Sequence, residues 1–124
     1  MASATSTPLR VVTFNVLPLA YGLVNRWAAE TGNKLVLLVT TPGPTTRRST
    51  TYQQIINAAP PEQEILVTTR LRSVALPLIQ KLEPDLIVSF TFPYRIPPEI
   101  RSLARYGAVN LHPTPLPECA HDER

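Results

Sequence analysis

Cysteine occurs once in this chain, at Cys119. A single thiol excludes an internal disulfide and a cysteine-built metal cage. Glycine is nearly as scarce, with four residues, and none is arranged as Gly-x-Gly-x-x-Gly. The phosphate-cradling turn of dinucleotide sites is therefore missing, and NAD or FAD binding is not expected. Long apolar runs are absent as well. The longest unbroken one, Leu35 to Val39, falls far short of a membrane span. Met1 to Pro8 has neither the basic start nor the apolar middle of a secretory signal. A soluble, cytoplasmic protein with no membrane partner is the expectation. Twelve Lys+Arg against nine Asp+Glu leave a formal charge of +3. That mild excess tolerates an anionic ligand, but no basic stripe with interleaved aromatics marks a nucleic-acid face.

Proline is abundant instead, with 14 residues, and hydrophobic residues make up 44%. The length of 124 residues suits one domain with a real core. Most prolines fall between apolar runs and punctuate them. Leu9 to Val16 reads as a first, nearly continuous apolar strand. Leu19 to Thr31 reads as a helix whose Leu19, Leu23 and Trp27 recur every fourth residue, with Ala20, Val24 and Ala28 beside them. Trp27 is expected in the core. Gly32-Asn33 closes this helix. Lys34 to Thr40 is a second strand, and Thr41 to Thr51 a loop whose Arg47-Arg48 reads as solvated surface. Tyr52 to Ala58 is a short helix stopped by Pro60-Pro61, and Ile65 to Val67 a short third strand. The next helix carries Val74, Ala75, Leu78, Ile79 and Leu82 on one face. Pro77 would cost about 3 kcal/mol in a helix interior; Ser73 as N-cap keeps it in the first turn. Asp85 to Phe90 is the fourth strand, Pro97 to Arg105 a helix, and Ala108 to Leu111 the fifth strand. Strands and helices alternate without a hairpin signal or an internal repeat. The pattern predicts a Rossmann-like α/β fold with a parallel sheet of about five strands and helices on both faces. Residues 9–118 are expected to form the domain, with disordered segments at 1–8 and 119–124.

Ligands of open parallel sheets bind beyond the carboxyl ends of the strands. Three segments occupy such ends. The first strand runs into Asn15-Val16-Leu17-Pro18, without phosphate-cradling glycines. The fourth strand runs into Thr91-Phe92-Pro93-Tyr94-Arg95-Ile96-Pro97, with two aromatics and an arginine. The fifth runs into Asn110-Leu111-His112-Pro113. Residues two apart on a strand share a side, so an amide donor and an imidazole are expected to project together, a pairing suited to chemistry on a carbonyl. The plain structural reading is that such polar residues satisfy the local backbone, and that Phe92 and Tyr94 merely anchor the loop to the sheet.

Gly107-Ala108-Val109-Asn110-Leu111-His112-Pro113-Thr114-Pro115-Leu116-Pro117-Glu118 resembles the signature segment of the folate-dependent formyltransferases. That family includes methionyl-tRNA formyltransferase and glycinamide ribonucleotide formyltransferase. Asp85-Leu86-Ile87-Val88 and Arg95-Ile96-Pro97 are similar to the family's preceding strand and loop. The likeness is dense over residues 84–118 and is one of element order over 9–83. It implies transfer of a formyl group from 10-formyltetrahydrofolate to a substrate amine through a tetrahedral oxyanion. Asn110 would donate a hydrogen bond to that oxyanion, and His112 would assist or exchange protons. Phe92, Pro93, Tyr94, Arg95 and Ile96 would line the folate pocket. No metal is implied. The partners implied are folate and an acceptor amine, initiator tRNA among the family's acceptors.

Two departures accompany the resemblance. The family completes its site with an aspartate further along than this sequence extends. After Glu118, Cys119-Ala120-His121-Asp122-Glu123-Arg124 departs from the aromatic-Arg-Gly continuation. The sequence therefore reads as a C-terminally incomplete domain, truncated after the motif. Two alternatives to an active enzyme stay open: a catalytically inactive fragment or folate-binding module, and an unrelated small nucleotide-binding regulatory domain. An uncovered edge of the parallel sheet is expected to invite self-association.

Overall fold

β-branched and leucine-rich runs separated by prolines leave the chain few ways to bury its apolar residues. The computed structural model, which describes residues 7–43 and 50–111, uses them as a five-stranded, all-parallel sheet. Arg47, Arg48 and His112, residues 1–6 of the expected disordered N-terminus, and the 119–124 tail lie outside the described residues. The strands are β1 (Arg10–Phe14), β2 (Lys34–Thr40), β3 (Ile65–Val67), β4 (Leu86–Phe90) and β5 (Ala108–Leu111). Their order in the sheet is β3-β2-β1-β4-β5. The chain thus starts in the middle, walks to one edge, crosses back and walks to the other. This is an α/β, Rossmann-like arrangement, with its switch point between β1 and β4.

Helices cover both faces. On one lie α1 (Pro18–Glu30) and α2 (Thr51–Ala58). Tyr21 of α1 packs there on Leu38 and Ile55, and Val24 on Val11 and Val88. On the other lie a π-helical turn (Leu71–Ala75), α3 (Leu76–Leu82) and α4 (Pro98–Arg101). Their Leu71, Ala75, Ile79 and Ile100 close over Val12, Phe14, Leu37, Val39 and Ile87. Alternation along β1 sends Val11 to the first face and Val12 and Phe14 to the second, as strand geometry requires. A β-bulge breaks the β1–β2 register between Val11 and Val12.

Four expectations from sequence change in detail. The strand expected over Leu9 to Val16 is shorter, ending at Phe14. Trp27 is not core: α1 buries Ala20, Tyr21, Val24 and Ala28, leaving Leu19, Leu23 and Trp27 exposed. Both stripes of α1 are apolar; Ala20, Val24 and Ala28, set beside the other three in the sequence, are the ones the sheet buries. Ser73 is no N-cap, because a π-helical turn precedes α3; Pro77 does fall in the first turn of α3, where its missing N–H costs little. The last helix stops at Arg101, and the chain reaches Gly107 through turns. Gly107, at φ +94°, supplies the left-handed residue from which β5 departs.

The amino ends of the strands are pinned by two side chains. Asn33 Oδ1 accepts the Leu9 N–H at 2.9 Å, and Asp85 Oδ2 accepts the Arg10 N–H at 2.8 Å. On the α1 face, the buried Tyr21 hydroxyl donates to Gln63 Oε1 at 2.8 Å. Burial, reinforced by the Glu62 carboxylate, pushes this phenol up to about 12. The neutral form is the one the fold favours. Its stabilisation is therefore complete below an ordinary tyrosine pKa of about 10 and is lost as pH rises from there through the folded value. Alkaline unfolding followed by far-UV circular dichroism should show a stability loss over this window that Tyr21→Phe removes, while the variant loses about 1 kcal/mol at neutral pH from the missing hydrogen bond. Superimposable alkaline curves for the two proteins would contradict the assignment.

Candidate functional site

At the carboxyl end of the sheet, β1 stops at an asparagine. Asn15 is fully buried and joins three strands. Its backbone N–H donates to Val39 O of β2 at 3.1 Å, and its Nδ2 donates to Phe90 O of β4 at 2.9 Å. Thr13 Oγ1 donates to Asn15 Oδ1 at 2.7 Å, which fixes the amide's orientation. The next residue continues the brace, with the Val16 N–H donating to Thr91 O at 3.2 Å. Thr91 sits at φ +56°, a left-handed conformation unfavourable for a β-branched residue. These bonds hold the chain in the sharp turn by which it leaves β4.

That turn delivers the aromatic loop. Phe92 meets Phe14 edge to face at 5.3 Å between ring centroids, and Tyr94 meets Phe92 in the same manner at 6.0 Å. Ile96 is buried, and its carbonyl accepts Arg101 Nε at 3.1 Å. The loop is anchored to the core at Phe92 and Ile96, so packing and cavity lining are both roles of the same residues.

Beside it, β4 and β5 run in parallel with Ser89 paired to Asn110 and Ile87 to Ala108. This register turns Asn110 and Ala108 toward the α4 face and Val109 and Leu111 toward the α1 face. A cavity of about 160 Å³ results, lined by Asn110, Ser89, Phe92, Tyr94, Arg95, Ile96 and Arg101, with Ala108 and Val109 below. The structure thus brings Asn110 together with Phe92, Tyr94, Arg95 and Ile96. Pro93 is exposed on the loop and does not line the cavity. The position of His112 lies outside the described residues. The described lining offers an amide, two hydroxyls (Ser89 and Tyr94) and two guanidinium groups, but neither carboxylate nor imidazole.

Tyr94 and Arg95 also wall a second, open cleft of about 340 Å³, whose other side is the turn after β3. Arg70, Arg72, Thr69 and Ser73 line that side. The turn is fixed by the Arg70 N–H, which donates to Thr68 Oγ1 at 2.9 Å. Arg72 pairs with Glu99 at 3.2 Å on the surface. Hydrogen bonds from Glu99's own backbone and then from Arg72 hold that carboxyl below the usual glutamate range. Sequence reasoning set Asn15 at the end of the first strand without giving it a role, and passed over Ser89, Arg70 and Arg72. An asparagine closing an apolar central strand was a visible signal; the convergence of Arg70 and Arg72 on the aromatic loop depends on the crossover from β3 and was not. Among the described residues no group of three His, Cys, Asp or Glu stands together for a metal, and no helix is long and apolar enough to cross a membrane.

No protein-family profile matches the chain. Over 39 residues, 32% of its length, the chain is 44% identical to methionyl-tRNA formyltransferase of Ehrlichia ruminantium, strain Gardel, and equally to that of strain Welgevonden. The matched stretch spans 13% of each of those enzymes. The chain is therefore formyltransferase-like over that stretch.

Asn15→Ala removes a buried donor and leaves Phe90 O and Thr13 Oγ1 without their partner. An unsatisfied buried group costs about 1–3 kcal/mol. Urea unfolding should show a loss of this size, and hydrogen exchange should quicken over residues 90–96. An unchanged midpoint with unchanged exchange would contradict the brace.

Proposed function

We propose that this chain is a formyltransferase-type domain that positions the formyl group of 10-formyltetrahydrofolate for attack by a substrate amine. The observation that carries this reading is the placing of Asn110 at the end of β5, opening into the same cavity as Phe92, Tyr94, Arg95 and Ile96. The short similarity to methionyl-tRNA formyltransferase supports it.

The residues present fit such a donor. Phe92, Tyr94 and Ile96 give an apolar, partly aromatic wall for a flat heterocycle, and Ser89 and Asn110 give its polar edge. At about 160 Å³ the cavity suits one ring portion rather than a whole ligand, since complete ligand pockets run to roughly 300–1,000 Å³. The cleft beyond Tyr94 carries three guanidinium groups, Arg70, Arg72 and Arg95, and would take the ligand's anionic end. The donor supplies an electrophilic one-carbon carbonyl. In this proposal Asn110 Nδ2 donates a hydrogen bond to the oxygen that gains charge as the amine adds. A fixed donor aimed at developing charge costs no reorganisation at the moment of reaction. His112, two residues on in the sequence, is proposed to move the proton released by the attacking nitrogen, for which an imidazole is suited near neutral pH. The acceptor amine, including a tRNA-borne methionine, and a cytoplasmic location belong to the same proposal.

A second reading, folate binding without turnover, is favoured by the absence of a carboxylate among the described lining residues. Release of tetrahydrofolate from 10-formyltetrahydrofolate in the presence of an amine acceptor separates the two. Turnover that falls about 10²–10³-fold in Asn110→Ala is the expected result. Calorimetric binding of a folate analogue without turnover would support the second reading, and neither binding nor turnover would overturn both.

A further inference from the structure

The sheet face under α3 and α4 is built in rows that cross the strands. In one row Leu37, Val12, Ile87 and Ala108 stand side by side on β2, β1, β4 and β5. The next row toward the carboxyl ends runs Val39, Phe14, Ser89 and Asn110. The first row is apolar throughout. The second turns polar at β4, directly beside the Phe14 ring on which Phe92 packs. A strand buried on both faces ordinarily continues its apolar run there.

Ser89 is 8% exposed. Among the described residues its hydroxyl has no hydrogen-bond partner, and it lies in the wall of the cavity that Asn110 shares. Thr40 and Thr91 also carry unpartnered hydroxyls, but those are sealed from solvent, whereas that of Ser89 is not. Buried polar groups of folded proteins are bonded in the great majority. The partner of this hydroxyl is therefore to be sought in what enters the cavity. Neighbouring strands lie about 4.8 Å apart. That is less than twice a hydrogen-bond length of about 2.8 Å, so one oxygen above the Ser89 and Asn110 pair comes within reach of both side chains.

We infer that Ser89 donates a second hydrogen bond to the formyl oxygen, sharing it with Asn110. On the formyl-transfer reading proposed above, on which this rests, Ser89 is a further catalytic residue. As the amine nitrogen adds to the formyl carbon, a C–N bond forms and the carbonyl π pair moves onto the oxygen. As the adduct collapses the pair returns, the bond from that carbon to N10 of the donor breaks, and the surplus proton of the amine ends on N10. Ser89 keeps its own proton throughout. A carbonyl oxygen has a lone pair for each of two donors, and a hydroxyl rotates to suit its acceptor. Ser89 can thus follow the oxygen as the carbon becomes tetrahedral, and both bonds strengthen as the charge grows.

The test reads the carbonyl itself, without turnover. Infrared difference spectra of 10-formyltetrahydrofolate carrying a ¹²C or ¹³C formyl group isolate the formyl stretch of the bound donor in the absence of an amine. In the wild-type protein this stretch should lie below that of the free donor. Ser89→Ala should bring it part of the way back, and Asn110→Ala should do so separately. Because no described residue bonds this hydroxyl, Ser89→Ala should melt no lower than wild type. With an amine present, its kcat should fall about 10²-fold while KM changes little. A stretch that Asn110→Ala moves and Ser89→Ala does not would overturn the role of Ser89 and leave formyl transfer standing. A lowered melting midpoint in Ser89→Ala would do the same, since the hydroxyl would then serve the fold. A stretch that neither variant moves, or a wild-type protein that binds no donor in calorimetry, would overturn both.

Discussion

The register of β5 against β4 decides what each side of this sheet can do. Asn110 beside Ser89 puts an amide on the side of the aromatic loop, and the same pairing puts Val109 and Leu111 on the side of α1. A slip of one residue would exchange the two sets. The register is set before β5 begins. The Arg105 N–H donates to Pro84 O at 3.1 Å, the Tyr106 N–H to Asp85 O at 2.7 Å, and Gly107 O accepts the Ile87 N–H at 3.1 Å. Asp85 in turn holds the start of β1. The last strand is thus indexed against the first through one aspartate, with Gly107 supplying the backbone conformation that lets the chain turn in.

The carboxyl end has its own anchor in Asn15. A central strand of a parallel sheet ends where ligands bind, yet its last polar residue must not be left unsatisfied in the interior. Asn15 resolves this by binding the carbonyl of Phe90, with Thr13 directing its amide. The result is a rigid exit from β4 with Thr91 held left-handed, from which Phe92 drops back onto Phe14. The candidate site is built on that turn, and the loop's packing and its capacity to line a cavity are consequences of one geometry.

The fold was legible because its strands are continuous apolar runs bounded by proline and glycine, and because no hairpin signal competes with the parallel reading. The meeting of Asn110 with Phe92, Tyr94, Arg95 and Ile96 followed from placing both segments at strand ends. What stayed hidden depends on choices between equivalent patterns. α1 offers two apolar stripes, and only the sheet selects Ala20, Tyr21, Val24 and Ala28 over Leu19, Leu23 and Trp27. The π-helical turn before α3 has no local signature apart from Pro77 further on. Arg70 and Arg72 look like ordinary surface arginines until the crossover from β3 sets them opposite Tyr94 and Arg95.

Nuclear Overhauser contacts from the two faces of β5 test this account most directly. The Val109 and Leu111 methyl groups should show contacts with the Trp27 indole, while the Asn110 side-chain amide shows them with residues of the 92–96 loop and none with Trp27. Contacts between the Asn110 amide and the indole would mean that β5 is shifted by one residue. The amide would then be absent from the cavity, and the reading of this protein as a formyl-transfer domain would fail with it.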